Sequence, residues 1–158
     1  MRQLARWVTL GVGAMALLVL VAATVSGQQA AGNPLIGAWR VAEFSDATGT
    51  IASPQPGLYI FARQHYSFVR IQGTRPLPDY PSNDKATDAE KVAVFNALYM
   101  NTGAYTMTGN RIATVAAVAK SKFAIGGSGN QYDFAIAGNT LTLTQRPSGA
   151  VLKLTRLE

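Results

Sequence analysis

Gln131-Tyr132-Asp133-Phe134-Ala135-Ile136-Ala137-Gly138-Asn139-Thr140-Leu141-Thr142-Leu143-Thr144-Gln145-Arg146 is the stretch that decides the fold. Tyr132, Phe134 and Ile136 alternate with smaller or polar residues, and Leu141 and Leu143 alternate with Thr140, Thr142 and Thr144. A period of two puts each apolar set on one face of a strand. Gly138-Asn139 between them tolerates the positive φ of a tight turn, so the stretch reads as a hairpin. Working outward, Gly109-Asn110 joins strands at 104–108 and 111–118, and Arg146-Pro147-Ser148-Gly149 leads to a last strand at 150–157. Further strands fall at 37–44, 58–61 and 66–71. Eight short strands with turn signals predict an all-β, eight-stranded antiparallel barrel closed by its first and last strands.

One helix interrupts the strands. Thr87-Asp88-Ala89-Glu90 is a capping box, and Val92, Phe95, Leu98 and Tyr99 follow at helical spacing, which predicts a helix over about 88–100. Pro76, Pro78 and Pro81 make the preceding 73–84 stretch a loop. The stripe does not choose between covering a barrel end and lying on the outer wall.

Arg2 and Arg6 precede an uncharged Leu-, Val- and Ala-rich run from Trp7 to Val25, the order of a secretory signal. Residues 1–27 therefore read as a signal peptide cleaved after Gly27, with Ala23 the second choice, and 28–158 as one barrel domain. The competing reading is a retained anchor, since 18 residues from Val8 to Val25 would span roughly 27 Å as a helix. The expected location is periplasmic or secreted, with membrane contact only through an uncleaved leader. The chain has no cysteine, which excludes disulfides and a lipid-modified cysteine. Of 14 basic residues, Arg2 and Arg6 belong to the leader, leaving 12 against 8 acidic, or +4. They are scattered singly, without the stripe a nucleic-acid footprint requires.

With Trp39 inward, period two sends Val41 and Glu43 inward as well. The same test turns Tyr105 and Met107, Tyr132, Phe134 and Ile136, Leu141 and Leu143, and Leu152, Leu154 and Arg156 to the interior. For 66–71 either face fits: Tyr66, Phe68 and Arg70 oppose Ser67, Val69 and Ile71. An inward Arg156 needs a partner. Neighbouring first and last strands would let its guanidinium stack on Trp39, a structural role ranked above ligand binding.

Gly37-Ala38-Trp39 on the first strand with Arg156 on the last resembles the lipocalin and wider calycin signature. Leu35-Ile36-Gly37-Ala38-Trp39, Gly57-Leu58-Tyr59-Ile60-Phe61, His65-Tyr66-Ser67, Gly103-Ala104-Tyr105-Thr106 and Gly138-Asn139-Thr140-Leu141-Thr142-Leu143 are similar to bacterial lipocalin-like domain proteins. The chain departs from secreted animal-type lipocalins in lacking cysteines and in carrying its helix mid-chain. The resemblance implies a lipocalin-like barrel that holds a small apolar molecule.

No catalytic or metal site is read from the residues. His65 is the only histidine and falls in a turn, and Gly126-Gly127-Ser128-Gly129-Asn130 lacks the strand-to-helix setting of a phosphate loop. The candidate ligand-binding set is Glu43, Tyr66, Phe68, Arg70, Tyr105, Met107, Tyr132 and Phe134, with a buried Glu43 pairing with Arg70. A bulge after Val41 that turns Glu43 to solvent is the competing placement. An eight-stranded barrel is either filled by its own side chains or holds one small ligand, and these residues fit both. The leading expectation is an exported, cofactor-free binding protein for a small hydrophobic or amphipathic molecule. The alternatives are a periplasmic interaction or inhibitor protein with a filled barrel, using loops at 72–86 and 119–130 toward a protein partner, and a cofactor-free isomerase or cyclase.

Overall fold

A computed structural model describes residues 32–127 and 129–158. The leader and its cleavage site lie outside the described residues. Nine strands form one antiparallel sheet: β1 (Gly37–Asp46), β2 (Gly49–Ile51), β3 (Gly57–Phe61), β4 (His65–Ile71), β5 (Leu98–Thr108), β6 (Arg111–Ala119), β7 (Gln131–Ala137), β8 (Thr140–Arg146) and β9 (Val151–Arg156). The order β1-β3-β4-β5-β6-β7-β8-β9 returns to β1, giving a closed eight-stranded barrel, and β2 extends β1 as a hairpin at the rim. Closure gives every barrel strand a neighbour on both sides, although the β6–β7 ladder covers only the start of β6.

The inward faces build the core. Trp39, Leu35, Ile112, Leu141, Leu143 and Leu154 are wholly buried, and Leu152, Val41, Tyr59, Phe61, Tyr66, Phe68, Tyr105 and Tyr132 join them. The threonine row at 140, 142 and 144 alternates outward against Leu141 and Leu143. On β4 the open question resolves: Tyr66 and Phe68 are buried and Val69 is exposed, so Arg70 shares the inner face.

Barrel closure rests on three residues. The Arg156 guanidinium lies 3.9 Å from the Trp39 ring centroid. Its two terminal nitrogens donate to Ile36 O and Pro34 O, each at 2.8 Å, and Trp39 Nε1 donates to Leu35 O at 2.8 Å. Together they strap residues 34–36 across one barrel end. Gly37 has φ +130°, and a Cβ there would stand 2.4 Å from Glu158 O, so no other residue fits the strap.

Antiparallel alternation gathers that strap, the β3–β4 turn and the Gly109-Asn110 and Gly138-Asn139 turns at the closed end. The opposite end carries β2, the 72–97 segment, the 120–130 loop and the 147–150 turn.

Two differences from the sequence reading concern this second end. Helix α1 (Asp88–Ala97) has the predicted capping box at Thr87 and Glu90 but stops at Ala97, with Leu98 already extended. Leu98 and Tyr99 pair with Ile71 and Arg70 of β4, so ladder formation overrides the helical repeat and β5 starts six residues before the expected 104. The helix buries none of its residues and is tethered at its C-terminus, where Lys120 Nζ donates to Phe95 O and Asn96 O at 2.9 and 3.4 Å. A cation there also complements the helix dipole.

Candidate functional site

The wall between β6 and β7 is paired only at Arg111–Ala113, leaving the upper half of β6 without a β7 partner. The 120–130 loop crosses this gap. Ala116 bridges to Ile125, Gly126 N donates to Ala116 O at 3.1 Å, and Thr114 and Asn130 exchange hydrogen bonds, hydroxyl to carbonyl and amide to hydroxyl, each 3.1 Å. Gly129 makes the crossing possible: its φ is +63°, and a Cβ would fall on Thr114 O.

Beneath the loop lies a recess of about 250 Å³, lined by Tyr66, Tyr99, Asn101, Thr114, Ala116 and Asn130 with Phe123 at its rim. The volume is near the lower bound for ligand sites. Two buried polar atoms of its lining, Tyr66 Oη and Asn101 Oδ1, have no hydrogen-bond partner. Burial pushes the Tyr66 phenol above its ordinary value. Asn130 Oδ1 accepts from Gln145 Nε2 at 2.9 Å, and Asn130 Nδ2 reaches Tyr99 Oη at 3.5 Å, which fixes the far wall. Phe123 is 98% exposed.

On the other side of Tyr99 a second recess of about 310 Å³ opens between the β1–β2 hairpin and the end of β4, lined by Phe44, Asp46, Ile51, Pro54, Arg70 and Ile71 among others. An aromatic run connects the two sides: Tyr66 to Phe68 at 6.3 Å, Phe68 to Tyr99 at 5.2 Å, and Phe68 stacked on Tyr59 at 4.7 Å. Burial raises the phenols of Tyr59 and Tyr132, and the Arg70 charge opposes this at both.

Of the expected ligand set, Tyr66 lines the first recess and Arg70 the second, with Phe68 buried between them. Tyr132 is buried in the core and Phe134 half-buried against it; neither lines these recesses. Tyr105 belongs to the closed end, where its hydroxyl donates to Ala62 O at 2.8 Å and accepts from Asn33 Nδ2. Met107 is 39% exposed, a correction to its inward assignment: β5 has outrun the barrel there and pairs only with β6. Both residues border an open cleft of about 550 Å³ with Arg63, Gln64 and the exposed His65.

Glu43 is the second correction. A bulge between Val41 and Glu43 flips the alternation, so Phe44 turns inward and Glu43 outward to an ion pair with Lys153 at 2.8 Å. The Glu43–Arg70 pair is therefore not formed, and Arg70 stands between the rings of Phe44 and Tyr99, 5.0 Å from each.

Sequence reasoning missed Tyr99, Asn101, Thr114 and Asn130. The signal for the first two was a period-two run read backward from Tyr105 through Gly103, Asn101 and Tyr99, hidden under the helical repeat. Ile112-Thr114-Ala116 carried the same signal on β6. Among the described residues no group of three or more His, Cys, Asp or Glu is placed to hold a metal ion.

No family model and no curated protein matches the chain. Two solved structures do. A lipocalin-like protein from Bacteroides uniformis ATCC 8492 is 15% identical, with a TM-score of 0.49 over 78% of this chain and 98% of that one. An uncharacterized protein from Bacteroides eggerthii DSM 20697 is 10% identical, with a TM-score of 0.47 over 77% and 98%. The chain itself forms the closed eight-stranded antiparallel barrel that its sequence resemblance implies.

Proposed function

We propose that the protein is a binding protein that holds a small amphipathic molecule at the open end of its barrel. The observation that carries this reading is the recess beneath the 120–130 loop, where the rings of Tyr66 and Tyr99 stand beside the polar side chains of Asn101, Thr114 and Asn130. A compact molecule with an apolar body and a polar end matches such a lining. Most of the barrel is packed, which limits the ligand to a compact one. Export is part of the proposal and rests on the charged start, apolar run and small-residue exit of the leader.

An interaction protein is the second reading. The outer wall favours it with an apolar hollow of about 400 Å³ lined by Pro56, Leu58, Val69, Ile71, Leu98 and Leu157. A cofactor-free enzyme has less support: the acids with shifted values, Asp46, Asp84, Glu90 and Asp133, are all lowered, so none of them supplies a base of raised pKa.

Native mass spectrometry of protein purified from its own host tests the reading in one spectrum. The expected result is a chain beginning near Gln28 that carries a small-molecule adduct, lost in Ala116→Leu, which fills the recess, and kept in the outward Thr142→Leu. A folded wild type that arrives without an adduct and takes none up from a host lipid extract contradicts binding. A chain retaining Met1 contradicts cleavage.

A further inference from the structure

Arg70 is an inward-facing cation without an ion-pair partner. Lys91, Arg111, Arg146 and Lys153 each contact a carboxylate, whereas no carboxylate among the described residues reaches Arg70. Its Nε is buried and makes no hydrogen bond. What holds the side chain is packing. Gly57, Arg70 and Tyr99 are successive neighbours across β3, β4 and β5, and a Cβ at Gly57 would stand 2.7 Å from Arg70 Cβ, so the glycine leaves room for the arginine stem. The rings of Phe44, turned inward by the bulge, and of Tyr99 both lie beside the guanidinium, each centroid 5.0 Å from its central carbon. Arg70 also lines the second recess, and a guanidinium fork is where a planar anion bonds in bidentate fashion.

We infer that the second recess takes a molecule with a single carboxylate, seated on Arg70, with its apolar body against Phe44, Ile51, Pro54 and Ile71; this rests on the reading above that the open end of the barrel binds a small molecule, and adds a place beside the recess beneath the 120–130 loop. The selection of one negative charge comes from Asp46. It borders the same recess, and its carboxylate accepts from the Thr48 amide at 2.8 Å and from the Thr48 hydroxyl at 2.5 Å, bonds that lower its pKa. It is ionised at neutral pH, and it repels a dianionic phosphate monoester about twice as strongly as a monoanionic carboxylate at the same distance. A half-buried cation without an ion-pair partner gains from a monoanion that neutralises it.

Octanoate, octan-1-ol and octyl phosphate, titrated into the purified full-length protein at neutral pH and low salt, separate these ideas. Octanoate is expected to bind at least about tenfold more tightly than octanol, as charge-assisted hydrogen bonds warrant, and more tightly than octyl phosphate. Rising ionic strength should weaken octanoate and leave octanol unchanged. Arg70→Gln should bring octanoate down to the octanol level, and Arg70→Lys should retain part of the preference. The wild-type salt titration decides the matter even when a variant fails to fold. Equal affinity for octanoate and octanol, a salt-independent preference, or a preference that survives Arg70→Gln overturns the carboxylate assignment and leaves binding standing. Tighter octyl phosphate overturns the single-charge argument, and failure of a folded protein to bind any of the three overturns both readings.

Discussion

Trp39 and Arg156 show how much two side chains determine. The indole fills the closed end, its N–H holds Leu35 O, and its face carries the guanidinium that straps residues 34–36. Trp39→Ala should cost about 3–5 kcal/mol by chemical denaturation, the range for deleting a large buried aromatic. Arg156→Leu should cost less, since an apolar stem replaces part of the packing while two carbonyls return to solvent. A larger loss for Arg156→Leu than for Trp39→Ala would mean that the strap, not the core, dominates this end. Both residues were legible in the sequence, because the first and last strands of a closed barrel must be neighbours. Glu43 was legible only as two alternatives: one inserted residue reverses every later side chain of the strand, so strict alternation sends it inward and a bulge after Val41 sends it to solvent, and the structure takes the bulge.

Among the elements, the 120–130 loop determines whether the barrel has a site. It substitutes for the missing upper half of the β6–β7 ladder, and Gly129 is the point where its backbone touches Thr114. Gly129→Ala should displace the loop at a cost of about 1–3 kcal/mol, the strain of a forced backbone conformation. Amide exchange at 124–130 should speed up, while the amides of β8 and β9 stay protected. Equal acceleration throughout the barrel would contradict a local role. The hairpins flanking Gly109-Asn110 and Gly138-Asn139 were readable because turn chemistry and alternation agree there. The start of β5 was not, since Leu98 and Tyr99 satisfy a helical repeat and a strand repeat equally, and only the partner strand β4 decides between them. The recess lining at Tyr99 and Asn101 was lost with it.

At the scale of the whole molecule, the interior combines a leucine-rich packed side with a tyrosine-rich open side. Burial holds the phenols of Tyr59, Tyr66, Tyr105 and Tyr132 above the ordinary value of about 10. The unfolded chain therefore loses these protons first as pH rises. Stability should be insensitive to these groups below about pH 9 and fall above about pH 10, because the unfolded state then binds fewer protons than the folded one. Denaturation midpoints measured from pH 7 to 11 check this, and a midpoint that rises through pH 10 would contradict the burial of these hydroxyls.

The central claim is that a small molecule binds at the open end, beside Tyr99. Backbone amide chemical-shift mapping during a titration with octan-1-ol tests it most directly, since the probe is neutral and does not depend on the Arg70 assignment. The account predicts saturable shifts confined to the ends of β4 and β5, to Thr114 and Ala116, to Phe44 and Ile51, and to the 120–130 loop. Shifts confined to Leu58, Val69 and Leu157 on the outer wall, or none in a folded protein, would contradict it.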